Sequence, residues 1–175
     1  MDFKHLALKR ESCRDYTGEA VPHEMLCEIL ESARLAPSAC NSQPWRLIAA
    51  EGETAEKLRP MTQAGGANRF TDAVSTFVVI CETKATLRAG VAEDSQKFAQ
   101  IDTGIVTAML TLAAADNGVA SCIMGCFDEA GTKQLLSIPE DAKVRLIVAL
   151  GYANAKEPRK KNRKPEAEVQ SFDRW

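Results

Sequence analysis

Residues Ile29–Ala50 read ILESARLAPSACNSQPWRLIAA, and the loop Ala36–Trp45, APSACNSQPW, lies at their centre. Two prolines, Pro37 and Pro44, bracket this loop. Each proline fixes its own φ and pushes the preceding residue towards an extended conformation, so we expect a stiff loop. Between the prolines lie hydrogen-bonding side chains: Ser38, Asn41, Ser42 and Gln43. Such a loop suits the planar polar edge of a heterocyclic ligand, although turn residues also cluster in ordinary polar loops.

The segments on either side of the loop have the periods of a helix and of a strand. Pro22–Leu35 predicts a helix that Pro37 ends, and Pro22 suits a first-turn position. One apolar face of this helix has i, i+3 and i+4 spacing and consists of Met25, Leu26, Ile29, Leu30 and Ala33. Trp45–Glu51 predicts a strand in which the largely buried residues are Leu47, Ile48, Ala49 and Ala50.

Further helices and strands follow along the chain. The β-branched run in Val74–Cys81 suits a central strand, whereas Glu82–Glu93 has no firm period. Met1–Lys9 predicts one or two helical turns whose inward residues are Phe3, Leu6, Ala7 and Leu8. The remaining predictions are a short helix Thr54–Gln63 that Pro60 interrupts or splits, an extended Val119–Gly125, a helix Glu129–Leu136 and a strand Val144–Tyr152.

Ser95–Asn117 predicts a long helix that is nearly all apolar. We expect one face to consist of Ile101, Ile105, Met109, Leu112 and Ala113, with Val106 and Leu110 widening it. A helix of this composition is buried in a core or across a dimer interface. Asp102 and Asp116 bracket its apolar part, so we expect no membrane span.

The composition indicates one ordinary globular domain. The chain has 175 residues, a net charge of −2, 45% apolar residues and 26% charged residues. Because Met1–Arg10 lacks the apolar run of a secretory signal, a cytoplasmic protein is the default expectation. The six cysteines form no CxxC pair and only two histidines accompany them, so we expect incidental thiols and no metal site.

Two basic segments are candidates for binding an anion. If Arg10–Arg14 is extended, Arg10, Ser12 and Arg14 share one face and make a phosphate site; the alternative is a solvated basic turn. Within Ala153–Trp175, six basic residues between 156 and 164 accompany one acid, Glu157. That segment alone suits a solvated or nucleic-acid-contacting tail, but no aromatic residues interleave it, so we expect no nucleic acid. Since no glycine-rich phosphate loop occurs, basic side chains would have to hold a phosphate-bearing cofactor.

Taken together, these stretches resemble the FMN-dependent nitroreductase family over nearly the whole chain. The matching pieces besides Ile29–Ala50 are RESCRDY (10–16), NGVASCIMGCFD (117–128) and KKNRKPEAEV (160–169). The resemblance implies an α+β fold with a central, mainly antiparallel sheet flanked by helices. It further implies a single FMN-binding domain, 1–175, in an intertwined homodimer whose extended tail, 153–175, packs on the partner subunit.

The resemblance also implies the site, with FMN bound between subunits. Its phosphate end would be held by Arg10, Ser12, Arg14, Lys161 and Arg163. Glu11 is an acid where the family often has a neutral or basic residue, so we expect only its backbone to contribute. The other chain would supply Pro37, Ser38, Ala39, Asn41 and Gln43, and Asn68 would reach the pyrimidine edge of the flavin. Beside the ring would lie Cys122, Ile123, Met124 and Gly125, with a backbone N–H near Met124 or Gly125 close to the reactive N5; alone, this segment is a strand that ends in a glycine turn.

The activity implied by the resemblance is reduction of nitroaromatics or quinones by NADH or NADPH, in a ping-pong cycle. No catalytic side chain is expected, because the flavin itself accepts and donates hydride. The small-molecule acceptor and a second copy of the chain are then the expected partners. Two alternatives stay open: another flavin reaction on the same scaffold, such as dehydrogenation or reductive dehalogenation, and a flavin-binding or regulatory protein without turnover.

Overall fold

The structure of this chain is a computed structural model that describes residues 2–90 and 94–175. Its helices are α1 (Phe3–Lys9), α2 (His23–Arg34), α3 (Gly52–Thr62), α4 (Gln96–Asp116) and α5 (Glu129–Leu136). Its strands are β1 (Trp45–Glu51), β2 (Thr76–Glu82), β3 (Ala120–Met124) and β4 (Lys143–Gly151). Short 3₁₀ turns lie at Ala39–Asn41, Ala64–Gly66, Arg69–Ala73 and Glu166–Glu168. The part of the unpatterned Glu82–Glu93 segment from 91 to 93 lies outside the described residues.

The strands form one antiparallel sheet in the order β1-β2-β4-β3, as the resemblance predicts. Every residue of β2 is buried. Successive side chains of a strand point to opposite faces, so Phe77 and Val79 enter one core cluster while Val78 and Ile80 enter another. The first cluster includes Leu58 of α3, and the second includes residues of α2 and α4. The sheet is therefore covered by helices on both faces.

The long helix α4 is present, but the predicted apolar face is buried only in part. Val106 and Leu110 are buried, and Ile105, Met109 and Ala113 are half-buried against the same core cluster. The buried residues of α4 are Ala99, Asp102, Thr103, Val106, Thr107, Leu110, Thr111, Ala114 and Ala115, whereas Ile101 is 58% exposed. The threonine hydroxyls donate to carbonyls of the preceding turn, for example Thr107 to the Thr103 oxygen at 2.7 Å. This internal bonding lets polar residues occupy the buried face, which the apolar pattern did not indicate.

By length and composition α4 could cross a membrane, since its most apolar window has a mean hydropathy of 1.4. Half of that window is buried inside the protein, where α4 packs on α2 and on the sheet. Core helices of globular proteins commonly have this composition. The packing therefore accounts for the apolar character of α4.

Two smaller predictions also need correction. Phe3 and Leu8 do not point inward: α1 packs on α4, and the two side chains are 72% and 62% exposed. Pro60 neither interrupts nor splits α3, which begins at Gly52 and continues to Thr62. The proline lies in the last turn, where its missing N–H removes only one bond near the end of the helix.

A buried ionic network fixes the start of α4 to the ends of two strands. The Glu82 carboxylate, with its side chain 3% exposed, accepts from the Arg145 guanidinium and from Gln96 Nε2, the latter at 2.6 Å. Gln96 also donates to the Thr83 carbonyl at 3.0 Å. Burial raises the pKa of the Glu82 carboxyl, but the bonds from Arg145 and Gln96 outweigh it, so this pKa lies below its ordinary 4.5.

Replacing Glu82 by Gln should therefore destabilise the protein in a pH-dependent way. A carboxyl whose folded-state pKa is lowered adds stability above its unfolded-state pKa and loses it as the pH falls through the folded-state value. We expect a loss of about 1–3 kcal/mol at neutral pH, shrinking below pH 4.5, measured from urea unfolding curves. Glu56→Gln, which removes an exposed acid of α3, is the control. An equal loss for Glu82→Gln at neutral and acidic pH would contradict the role of this carboxylate.

Candidate functional site

The segment after α1 extends the sheet beyond its edge strand β3. Ser12 pairs with Ser121 in an isolated parallel bridge, and the Cys13 N–H donates to the Ser121 carbonyl at 2.9 Å. Tyr16 pairs in turn with Ala153, just after β4. The segment is thus extended as predicted, and Cys13 is buried while Arg14 is exposed.

A cavity of about 490 Å³ lies between this segment, α1, α4 and β3. The predicted site residues that line it are Arg10, Ser12, Ile123 and Arg163; the others are Phe3, Ala7, Gly104, Ala108, Thr111 and Leu112. Arg14 is not among them. Since alternate residues of β3 face opposite sides, Ile123 points to the cavity whereas Cys122 and Met124 are buried in the core. Those two residues can therefore offer only their backbone to a ligand at this edge.

Two glycines leave open space around this part of the chain. A Cβ added to Gly104 of α4, or to Gly125 just after β3, would meet no atom within 4 Å. Gly104 was not predicted as a site residue. Its position inside a helix could have indicated it, because glycine there destabilises the fold by roughly 0.5–1 kcal/mol relative to alanine. The presence of a glycine at such a position therefore needs a reason. Close approach of a ligand or of a second helix would supply that reason.

Positive charge collects at the cavity. Arg10 and Arg163 line it, and Lys161 donates to the Leu8 carbonyl nearby. Burial, followed by the positive charges of Arg10 and Arg163, lowers the pKa of the Lys161 ammonium. Within residues 2–90 and 94–175, none of these three cations makes an ion pair. Such a cluster fits a phosphate group.

Glu11 lies close enough to this cluster for its charge to act on Lys161, but its side chain bonds to the tail. Its Oε2 accepts from both the backbone N–H and the Nε of Arg159, each at 3.2 Å. Arg159 Nη2 also donates to the Ser12 carbonyl at 2.7 Å. The tail therefore crosses the segment that follows α1, and no sequence pattern indicated the partner of Glu11.

The loop after α2 is rigid and strained. Its residues Cys40, Asn41 and Gln43 have φ values of 51°, 53° and 47°, which are uncommon for residues with a Cβ. The Ser38 hydroxyl accepts the Gln43 N–H at 2.9 Å, and Ser42 Oγ accepts the Thr86 N–H at 2.7 Å. Strain of this kind persists only where surrounding contacts enforce it, and it concentrates at functional sites.

A buried carboxylate holds the loop against α4. Asp102 is 3% exposed, and its two carboxylate oxygens accept the Ala39 N–H at 3.1 and 3.3 Å. The sequence placed Asp102 only at the border of the apolar helix. An acid inside such a helix is itself a signal, because aspartate is almost never fully buried without a partner.

Asn68 holds another loop, the one that follows β3. It has a left-handed conformation with φ of 47°. Its Nδ2 donates to the carbonyls of Thr62 and Cys126 at 2.9 and 2.8 Å. Both amide hydrogens are thus used, which leaves Oδ1 as the atom that Asn68 can offer to a ligand.

Neither buried cysteines nor a metal cluster is available for chemistry at this edge. Burial raises the pKa of the Cys13 and Cys122 thiols, so both stay protonated and unreactive at neutral pH. Among the residues that the structure describes, no group of three or more metal-ligating side chains comes together. The chemistry that this arrangement supports is binding of an anionic ligand.

The predicted site residues thus fall into two separate groups within one chain. Arg10, Ser12, Ile123 and Arg163 share the cavity, whereas the predicted loop residues from Pro37 to Gln43 are absent from its described walls. The loop is joined instead to the buried side of α4 through Asp102.

The chain belongs to the nitroreductase family, whose family model matches residues 7–152. The putative NADH dehydrogenase/NAD(P)H nitroreductase of Archaeoglobus fulgidus is 30% identical, over 82% of this chain and 80% of its own length. A nitroreductase family protein from Clostridium difficile has a similar crystal structure, with a TM-score of 0.84, 28% identity and 100% of both chains covered. A structure described as an oxidoreductase containing FMN matches with a TM-score of 0.83 and 25% identity, over 100% of this chain and 93% of its own. The family predicted from the sequence is confirmed.

Removing the carboxylate of Asp102 should loosen the loop that it holds. In Asp102→Ala the Ala39 N–H loses its acceptor, and we expect a cost of about 1–3 kcal/mol in the free energy of unfolding. Amide hydrogen exchange at Ala39 should become faster, while Asp102→Asn, which keeps an acceptor oxygen, should have a smaller effect. Asp116→Ala, at the exposed end of the same helix, is the matched control. Unchanged exchange at Ala39 in Asp102→Ala would show that the loop does not depend on this bond.

Proposed function

We propose that this protein is an FMN-dependent oxidoreductase that uses NADH or NADPH to reduce small electrophilic acceptors such as nitroaromatics and quinones. The observation that carries the proposal is the cluster of Arg10, Lys161 and Arg163 at the cavity, held without an acidic partner in the described part of the chain. Family membership and the likeness to an oxidoreductase containing FMN support the identity of the cofactor.

The residues present fit this cofactor. The cavity, at about 490 Å³, lies in the range of about 300–1,000 Å³ that small-molecule sites occupy. Arg10, Lys161 and Arg163 would bind the phosphate, and the Ser12 hydroxyl would donate to it or to the ribityl chain. Arg14 is exposed and is not among the residues that line the cavity, so in this single chain it would contribute through its charge rather than by contact.

The edge of β3 would support the isoalloxazine ring. Ile123 is the residue of β3 whose side chain lines the cavity, and this side chain would exclude water from one side of the ring. The backbone N–H of Met124 or Gly125 would donate to the reactive edge, and the open space at Gly125 permits such an approach. Bound FMN supplies the redox chemistry, since it takes a hydride from NAD(P)H and returns it to the acceptor.

The second wall of the site would come from another copy of the chain. Asn41 and Gln43 are both exposed, and within the described residues their side-chain amides bond only to each other and to the Asn41 carbonyl. Pro37, Ser38 and Ala39 would accompany them, and Asn68 would offer its oxygen. Two apolar side chains that line the cavity, Phe3 and Ile123, are exposed, and Ile101 is exposed one turn before Gly104 on α4. A homodimer that buries this surface would bring each loop to the cavity of its partner.

The tail would take part in the same dimer. Phe172 is 86% exposed and Trp175 is fully exposed, so both aromatic side chains are available to pack on a second copy of the chain. In this proposal the chain is a single domain, 1–175. Its tail, 153–175, first places Arg163 at the cavity of its own chain and then packs on the partner.

The first test is the visible spectrum of the protein after FMN is added and the excess removed. We expect a retained flavin spectrum that bleaches anaerobically on addition of NADH or NADPH, because hydride transfer reduces the flavin. Dithionite is the control for a reducible flavin. Flavin that only dithionite bleaches would favour a binding protein without turnover, and no retained flavin would remove the proposal.

A second test asks whether two chains share each site. Arg10→Glu places an acid at the phosphate end, and Ser38→Trp obstructs the loop, so each homodimer should fail to retain FMN. In a heterodimer of the two variants a shared arrangement concentrates both defects in one site and leaves the other intact. We therefore expect heterodimers, isolated by two affinity tags, to regain FMN binding at a single site. Heterodimers that bind no FMN would contradict a shared site.

A further inference from the structure

The tail has to place two cations, although almost nothing in its own conformation fixes their position. Residues 155–165 have no helix or strand, and nearly all of them are exposed. Nevertheless Arg163 lines the cavity, and Lys161 lies where burial and the charges of Arg10 and Arg163 alter its pKa. A flexible chain pays conformational entropy for such placement, so a contact has to hold it.

Asn154 fixes the start of the tail to Asp15 and Tyr16, and Lys161 bonds to the Leu8 carbonyl. Between those two points, the hydrogen bonds that hold the tail in the described structure are made to Glu11 and Ser12. Glu11 Oε2 accepts from the backbone N–H and from Nε of Arg159, and Arg159 Nη2 donates to the Ser12 carbonyl. The Glu11 side chain is only 15% exposed, and its carboxylate accepts both bonds from Arg159. Arg159 precedes Lys161 by two residues, and a fixed Arg159 therefore limits where Lys161 and Arg163 can reach.

The charge of Glu11 makes this arrangement informative. Its neighbours in the chain, Arg10 and Ser12, both line the cavity, so Glu11 brings a negative charge close to the proposed phosphate site. By electrostatics alone, an acid there weakens the binding of an anion. A carboxylate at this position needs a function that offsets the repulsion.

We propose that Glu11 is a positioning residue that fastens the tail through Arg159, so that Lys161 and Arg163 face the phosphate end of the FMN site. This inference rests on the proposed function. Glu11 is not among the residues that line the cavity, and in this proposal its side chain acts through the tail. A positioning role and simple electrostatics predict opposite changes in FMN affinity when Glu11 is removed. If Glu11 positions the tail, its removal releases the tail and weakens FMN binding. If only its charge matters, its removal takes away repulsion and strengthens FMN binding.

The test measures dissociation constants of FMN and of riboflavin by flavin fluorescence, using the full-length protein freed of flavin. Riboflavin shares the ring and the ribityl chain but lacks the phosphate. For Glu11→Gln we expect the dissociation constant of FMN to rise roughly two- to fivefold, the range that the loss of a partly exposed charged pair produces. The constant for riboflavin should change less than about twofold, because the phosphate end is the part affected.

Two further variants separate the role of Glu11 from charge. Glu157→Gln removes the same charge two residues from Arg159, and Glu157 makes no ion pair within the described residues. It should leave the FMN constant unchanged or slightly lower. Arg159→Gln should weaken FMN binding, and adding Glu11→Gln to it should cause no further loss, because both changes break one contact.

Several results would overturn the inference. One is FMN binding that is unchanged or tighter in Glu11→Gln. Another is an equal loss of FMN and riboflavin binding in that variant. The third is a double variant in which the losses caused by Glu11→Gln and Arg159→Gln multiply. If the unaltered protein fails to bind FMN, the proposed function itself falls, and this is seen before any variant is compared.

Discussion

Burial of β2 on both faces is the constraint that organises the molecule. A strand whose residues are all inaccessible needs apolar cover above and below. The helices α2 and α4 cover one face, and α3 and α5 lie on the other. With its faces occupied, the sheet is accessible only at its edges, and there the chain adds the segment that begins with Ser12. The candidate site lies along the β3 edge because a sheet edge supplies unpaired backbone groups and room for a ligand.

Local patterns predicted most of the elements. The bounds of β1 and α5 agree with the predictions, since each is a periodic segment between strong breakers. The rotation of α4 was missed because threonine counts as polar in any pattern, although its hydroxyl can bond to its own helix and be buried. Pro60 was given too much weight, because a proline near the last turn removes few bonds.

The site was predictable in its chemistry but not in its supports. Basic residues near both ends of the chain and a stiff polar loop were visible as candidates, and the family resemblance ordered them. The supports, Asp102 beneath the loop and Glu11 beneath the tail, depend on partners 63 and 148 residues away along the chain. No sequence period encodes a contact of that range. Two anomalies in the sequence marked these supports: Asp102 is an acid inside an apolar helix, and Glu11 is an acid between Arg10 and Arg14.

The cations of the cavity come from segments that are almost the whole chain apart, since Arg10 follows α1 while Lys161 and Arg163 follow β4. An unfolded chain therefore has no preformed cluster of these charges, and bringing such distant segments together costs loop entropy that only the folded sheet repays. Affinity for an anionic ligand at this edge is then a property of the native state alone. By mass action, cellular abundance of that ligand would raise the melting temperature of the protein, and scarcity would leave the same sequence easier to degrade.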